Sequence, residues 1–307
     1  MSEQIKEVIH EIPDGIVATY IKERRPGISK SSLKTYESIL RNLHNKIWPD
    51  VILNDMELFE TDSKKVLDYL KNMEPKKRKT VLSALVVITD NKDYRTLMLD
   101  DIKEYNKEEA KQQKTEKQKE NWVSETDLNR VYGDAEKYAK LLYKKKTLTV
   151  SDLQHIQTYI ILTLFCGKFI PPRRSKDYVN FKIDNIEKDK DNYMDKNEFV
   201  FNSYKTNKTY GQQKVEIPIT LKRIINKWIK VNPTDYLLFD TSFKQLSNVK
   251  LNQRLNKIFG KKAGVNQMRK TFLTDKYANL IDIQKNLEKD MKDMGSSTLQ
   301  EKIYIKS

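Results

Sequence analysis

The sequence predicts a mainly α protein with a small β component, arranged as a helical N-terminal domain followed by an α+β domain. Two observations carry this. Apolar residues recur at helical spacing through the first hundred residues, and two short β-type runs stand alone in the second half at 198–204 (EFVFNSY) and 213–219 (QKVEIPI). The chain length of 307 residues suits about two domains, each able to bury a core.

Taken in order, Ile16, Val17, Tyr20 and Ile21 mark a short amphipathic stretch ended by Pro26-Gly27. Ser29 to Ser32 offer N-cap oxygens to a second helix with Leu33, Tyr36, Ile39, Leu40, Leu43 and Ile47 on one face, closed by Pro49. A third helix starts near Thr61-Asp62 and shows Val66, Leu67 and Leu70. A fourth runs from Pro75 through Val81, Leu82, Leu85, Val86 and Ile88. Four or five helices are therefore expected over 1–102. Residues 103–121 have almost no apolar content and read as a polar linker or solvated helix end. In the second domain, 122–307, Ser124 with Asp127 reads as a helix cap. Leu153, Ile156, Ile160, Ile161, Leu164 and Phe165 form an apolar helix that must be buried. The two β-type runs flank a polar turn with Gly211 as a hairpin, and helical patterns resume from Leu221.

Charge and composition narrow the function. Fifty-eight Lys+Arg against 43 Asp+Glu give a formal net charge of +15, with 33% of residues charged and 38% hydrophobic. Such a field attracts polyanions but specifies no reaction. Lysine supplies 47 of the cations, and the abundance of Lys, Asn and Ile together also follows from an AT-rich genome. No apolar run is long enough for a membrane span, and the first twenty residues lack the apolar core of a secretory signal. An intracellular protein is expected. One cysteine, Cys166, excludes a disulfide framework, and three scattered histidines (His10, His44, His155) make a metal centre an unexpected feature. No phosphate-binding GxxxxGK[ST] loop is present.

Five stretches could carry chemistry. Lys76, Lys77, Arg78 and Lys79 fill the first turn of the fourth helix, where cations oppose the dipole and an external phosphate would reverse the sign. The stretch from Gly167 to Tyr178 contains Pro171-Pro172-Arg173-Arg174-Ser175-Lys176-Asp177; Pro172 suits a first helical turn, and Arg174 and Asp177 are then i and i+3 on one face, where the carboxylate would fix the guanidinium. Tyr204-Lys205-Thr206-Asn207-Lys208 lies on the hairpin. Asn266-Gln267-Met268-Arg269-Lys270-Thr271-Phe272-Leu273 opens a helix after Ala263-Gly264, with Met268, Phe272 and Leu273 in the core and Arg269 beside them, needing an anionic partner. Last comes Gly295-Ser296-Ser297 with Tyr304 nine residues after Gly295. Each has a plain alternative: a solvated basic turn, a surface ion pair, a solvated lysine, a structural arginine and a docking aromatic.

Their order and spacing resemble the tyrosine recombinase (integrase) family. That family has a G-x-R-x-x-E-type box, a hairpin lysine, an H-x-x-R-H/K box and a G-H/W segment ahead of a tyrosine nucleophile. Here Arg174 to Asp177, Lys205-Thr206, Asn266 to Phe272, and Gly295 to Tyr304 take those places. The Pro171-Pro172-Arg173-Arg174 form and Glu120-Asn121-Trp122 look like integrases of large DNA viruses and their satellite elements. Ser31-Ser32-Leu33-Lys34-Thr35-Tyr36 looks like the family's helical, SAM-like core-binding domain.

The resemblance implies site-specific cutting and rejoining of double-stranded DNA through a 3′-phosphotyrosyl intermediate, without metal or ATP, by a tetramer on DNA. Tyr304 would be the nucleophile, Arg174 and Arg269 the phosphate-binding cations, Asp177 the residue orienting Arg174, and Lys205 the general acid, with Lys208 in reserve. Arg173 competes with Arg174, and only the family match separates them. Lys76, Lys77, Arg78, Lys79, Arg173, Lys208 and Lys270 would touch DNA. Asn266 and Ser296 stand where the family has histidine or tryptophan, and neither takes up a proton near neutral pH. Other implied readings are a type IB topoisomerase-like relaxation enzyme and a catalytically impaired DNA-binding protein.

Overall fold

The computed structural model describes residues 15–296. The chain divides into two units, 1–113 and 114–307. It is mainly α, with a single three-stranded antiparallel sheet among the described residues.

The first unit contains six described helices: α1 (Ile16–Arg24), α2 (Lys30–Ile47), α3 (Leu58–Thr61), α4 (Ser63–Lys71), α5 (Pro75–Ile88) and α6 (Lys92–Ala110). Ser29 caps α2 by accepting from the Ser32 N–H. The face of α2 bearing Leu40, Leu43 and Ile47 meets Val17 and Ile21 of α1, Val66 and Leu70 of α4, and Leu82, Leu85 and Ile88 of α5. Each such side chain, fully buried, contributes about 1.5–3 kcal/mol. The helix count exceeds the expected four or five because the short α3 precedes α4 and because α6 follows α5, running on through the first part of 103–121. That span is thus mostly helical, with α7 (Glu116–Glu120) at its end; residues 111–115 form the break.

The second unit continues with α8 (Glu125–Leu142), α9 (Val150–Phe165), α10 (Ser175–Val179), β1 (Tyr193–Asp195), β2 (Glu198–Phe201), α11 (Asn207–Tyr210), β3 (Gln213–Glu216), α12 (Ile219–Ile229), α13 (Asn248–Phe259) and α14 (Val265–Asp293). Ser124 caps α8 by accepting from the Asp127 N–H. Helix α9 is the axis of this unit. It packs against α8, α12 and α14, and every residue from Tyr159 to Phe165 is buried. The expected hairpin is the β2–β3 pair, with Phe201 opposite Gln213, and β1 adds a third strand beyond β2.

Two polar side chains inside this core fix the chain. Gln157 exchanges two hydrogen bonds with the Phe239 backbone, at 2.9 and 2.8 Å. Buried Asn192 donates to the carbonyls of Asp177 and Ser203 and accepts from the N–H groups of Asn202 and Ser203. It ties α10 to the loop that leaves β2.

Candidate functional site

A cleft of about 420 Å³ in the second unit is lined by Arg173, Arg174, Asp177, Gln213, Arg269 and the two tyrosines Tyr204 and Tyr210, among others. Three separate stretches meet there.

The first stretch is held by a close approach. Gly167 has φ +76°, and a Cβ at this position would lie 2.3 Å from the Phe272 ring of α14. Only glycine meets both demands. This contact holds the 167–174 segment against the same helical turn that carries Arg269. Helix α14 itself begins at a fixed point, because the Val265 N–H donates to Asn252 Oδ1 at 2.9 Å. Met268 and Thr271 anchor it in the core, which leaves Arg269 half-buried between them and the cleft.

The arginine adjacent to Arg174 is the structurally engaged one. Arg173 donates from Nε to Asp177 Oδ2 at 2.9 Å and from Nη2 to Gln213 Oε1 at 2.9 Å. Its guanidinium lies 4.0 Å from the Phe201 ring centroid and 5.4 Å from that of Tyr204. This corrects the expectation that Asp177 orients Arg174. Helix α10 begins at Ser175, so Arg174 is its N-cap with extended backbone and i,i+3 helical spacing does not apply. Pro172 lies ahead of that helix rather than in its first turn. Asp177 is 1% exposed, and burial pushes its carboxyl above the ordinary range against the pull of Arg173 and Arg174.

Arg174 and Arg269 remain as the unspent cations. Neither guanidinium forms a hydrogen bond or ion pair with the described residues. Burial pulls the Arg269 pKa below its ordinary value, repulsion from Arg174 adds to that shift, and the Asp177 carboxylate opposes it. The Arg173–Asp177 pair is internally neutral, so the cleft presents two guanidinium groups with one shared requirement, an anion.

The remaining expected site residues lie differently. Lys205 is exposed and sits between the lining residues Tyr204 and Thr206 without itself lining the cleft. Lys208 is exposed on α11. Asn266 and Lys270 are exposed on α14, and Ser296 follows its end; none lines the cleft. Leu273, expected in the core, is 54% exposed, while Phe272 is half-buried. Tyr304 lies outside the described residues. Asn192 and Gln213 are positioning residues that the sequence did not single out; their only signal was location, beside or between the boxes. Gly167 opens the first arginine stretch without a role having been read for it.

The basic turn of α5 also departs from expectation. Arg78 makes a two-pronged contact with buried Asp101, at 2.9 and 2.6 Å. Lys79 lies 3.0 Å from the Tyr105 ring centroid, Lys76 lies 5.6 Å from it, and Lys77 pairs with Glu74 at 3.4 Å. Arg78 is therefore a packing residue of the first unit, unlike the phosphate contact expected of it.

Among the described residues no group of three His, Cys, Asp or Glu side chains could hold a metal ion, and no helix is long and apolar enough to cross a membrane. No family model and no curated protein matches the chain. Among solved structures, it is similar to a lambda integrase fragment, crystallised as a dimer bound to a COC′ core site, with 13% identity and a TM-score of 0.43 over 84% of this chain and 85% of that one.

Proposed function

We propose that this protein is a DNA strand transferase of the tyrosine type, acting as a site-specific recombinase on double-stranded DNA. The observation that carries this reading is the pair Arg174 and Arg269, distant in sequence, lining one cleft whose acid, Asp177, is ion-paired with Arg173. A phosphodiester nearing its five-coordinate state gathers negative charge on its non-bridging oxygens, and two always-charged, planar donors suit that charge.

In this reading the Tyr304 oxygen attacks phosphorus and its proton passes to solvent. The bond from phosphorus to the 5′-oxygen breaks, and the leaving oxygen takes a proton from Lys205. The products are a 3′-phosphotyrosyl protein and a free 5′-hydroxyl, and reversal onto a second strand rejoins the DNA. A phenol with a pKa of about 10 is roughly one part in a thousand ionised at pH 7, so the reaction needs the arginines' field at the phosphate. Asn266 and Ser296, at the places where the family has histidine or tryptophan, transfer no proton. Assembly into a tetramer on DNA, as the family resemblance implies, supplies the second strand.

The test is a duplex nicked beside the scissile phosphate, which traps the covalent product. An adduct that forms with the native chain and is lost in Tyr304→Phe, with DNA binding kept, supports the proposal. Tyr210→Phe is the control, because Tyr210 is the exposed tyrosine at the cleft; loss of the adduct there, and not in Tyr304→Phe, would overturn the nucleophile assignment. Plasmid relaxation without joined products would favour a topoisomerase. Sequence-specific binding with no adduct would leave a DNA-binding protein.

A further inference from the structure

A second cationic pocket lies in the same unit, at the other end of α9. It has a volume of about 550 Å³ and is lined by Gln154, His155 and Thr158 of α9, Gln253, Arg254 and Lys257 of α13, and residues around them. Gln154 and Cys166 stand twelve residues apart on α9 and its cap, about 18 Å at the helical rise, so this pocket is separate from the Arg174–Arg269 cleft.

Its chemistry is that of donors without an acid. Arg254 donates from Nη1 to Gln154 Oε1 at 2.7 Å and from Nη2 to Thr158 Oγ1 at 2.9 Å and to the Gln154 carbonyl. All three acceptors are neutral. Burial alone brings the Arg254 pKa down to about 10, with no carboxylate acting to raise it. The acids nearest in sequence are spent elsewhere: Asp152 on Lys145 at 2.8 Å and Asp240 on Lys250 at 2.7 Å. Lys257 forms no ion pair with the described residues, and no acidic side chain lines the pocket. Gln154 Nε2 is a buried donor with no partner. A half-buried charge without a counterion is costly, and an unspent buried donor adds to the cost. An anion with several acceptor oxygens removes both.

We infer that this pocket binds a phosphoryl anion, held by Arg254 and Lys257 and oriented by the Gln154 amide. The anion is either a free phosphate or phosphate ester, or a backbone phosphate of nucleic acid. The inference does not depend on the strand-transfer reading.

The experiment follows the amide resonances of Thr158, Thr241 and Gln253 in the full chain. One arm adds inorganic phosphate against sodium chloride of equal ionic strength, and the other adds a DNA duplex. Saturable shifts with phosphate but not chloride are expected, weakened about tenfold in Arg254→Gln and about threefold in Lys257→Ala. Lys257 is exposed, so its variant keeps the fold if the arginine variant does not. Shifts induced by phosphate alone identify a free anion as the ligand; the same shifts with duplex, reversed by phosphate, identify the nucleic-acid backbone. Absence of saturable shifts in both arms, or affinities unchanged in both variants, would overturn the inference.

Discussion

The first turn of α5 and the Arg174–Arg269 cleft are both cationic, yet they use their charge in opposite ways. In α5 four consecutive cations announce themselves in the sequence, and the fold gives each of them an intramolecular partner: Asp101 for Arg78, Glu74 for Lys77 and the Tyr105 ring for Lys76 and Lys79. In the cleft two arginines from remote segments converge, and the one nearby acid is taken by their neighbour Arg173. A dense run of charge can be self-satisfied, because its members reach local partners. A sparse convergent pair cannot, and that is the arrangement that calls for an external anion.

The largest expected effect on activity comes from the cleft. Arg269→Ala should cost about 3–4 kcal/mol in single-turnover cleavage, roughly a hundredfold to a thousandfold in rate, while DNA affinity falls far less. A loss below about threefold in that assay would remove Arg269 from the phosphate. Next is Arg78→Ala, which leaves Asp101 buried at 2% side-chain exposure without its cation; urea denaturation should show the first unit destabilised by about 3–5 kcal/mol. The salt dependence of DNA binding should be unaltered by that change, in contrast to an arginine that releases counterions from DNA.

Gly167→Ala sharpens the comparison from the scaffold side. The added methyl meets Phe272 at 2.3 Å and sits at a φ of +76°, so overpacking by about 1–3 kcal/mol is expected. Cleavage should fall more than affinity, because Arg174 and Arg269 lose their common frame. Pairing this change with Phe272→Ala should restore part of both losses.

The smallest effect is set by pH. His44 is fully buried between Trp48 and Phe59, and burial lowers its pKa. The unfolded chain therefore binds the proton more readily than the folded one. Stability from this group is complete above an unfolded pKa of about 6.5 and declines as pH falls below it. Thermal unfolding should show a slope between pH 7 and 5 that flattens in His44→Phe.

Legibility in the sequence followed the physics of each element. Helices α2, α5 and α9 were readable because their apolar residues agree with their final burial, with a Ser29 cap opening α2 and Pro75 opening α5. Helix α6 was not, because its inward stripe of Tyr94, Leu97 and Met98 continues into Asp101, an acid buried by its pairing with Arg78. Arg174 and Arg269 line one cleft, but the partner of Asp177 was not legible. Spacing rules hold within a helix, and Arg174 stands at the boundary where they stop. Gln213 and Asn192 act through contacts across 40, 15 and 11 residues, which no local pattern encodes.

The central claim is that Arg174 and Arg269 act on one phosphate. A double-mutant cycle on single-turnover cleavage of the nicked duplex tests it, using Arg174→Ala, Arg269→Ala and the double variant. Strong non-additivity is expected, the double variant losing little more than the worse single one. Losses that simply add would place the two guanidinium groups on separate tasks and contradict it.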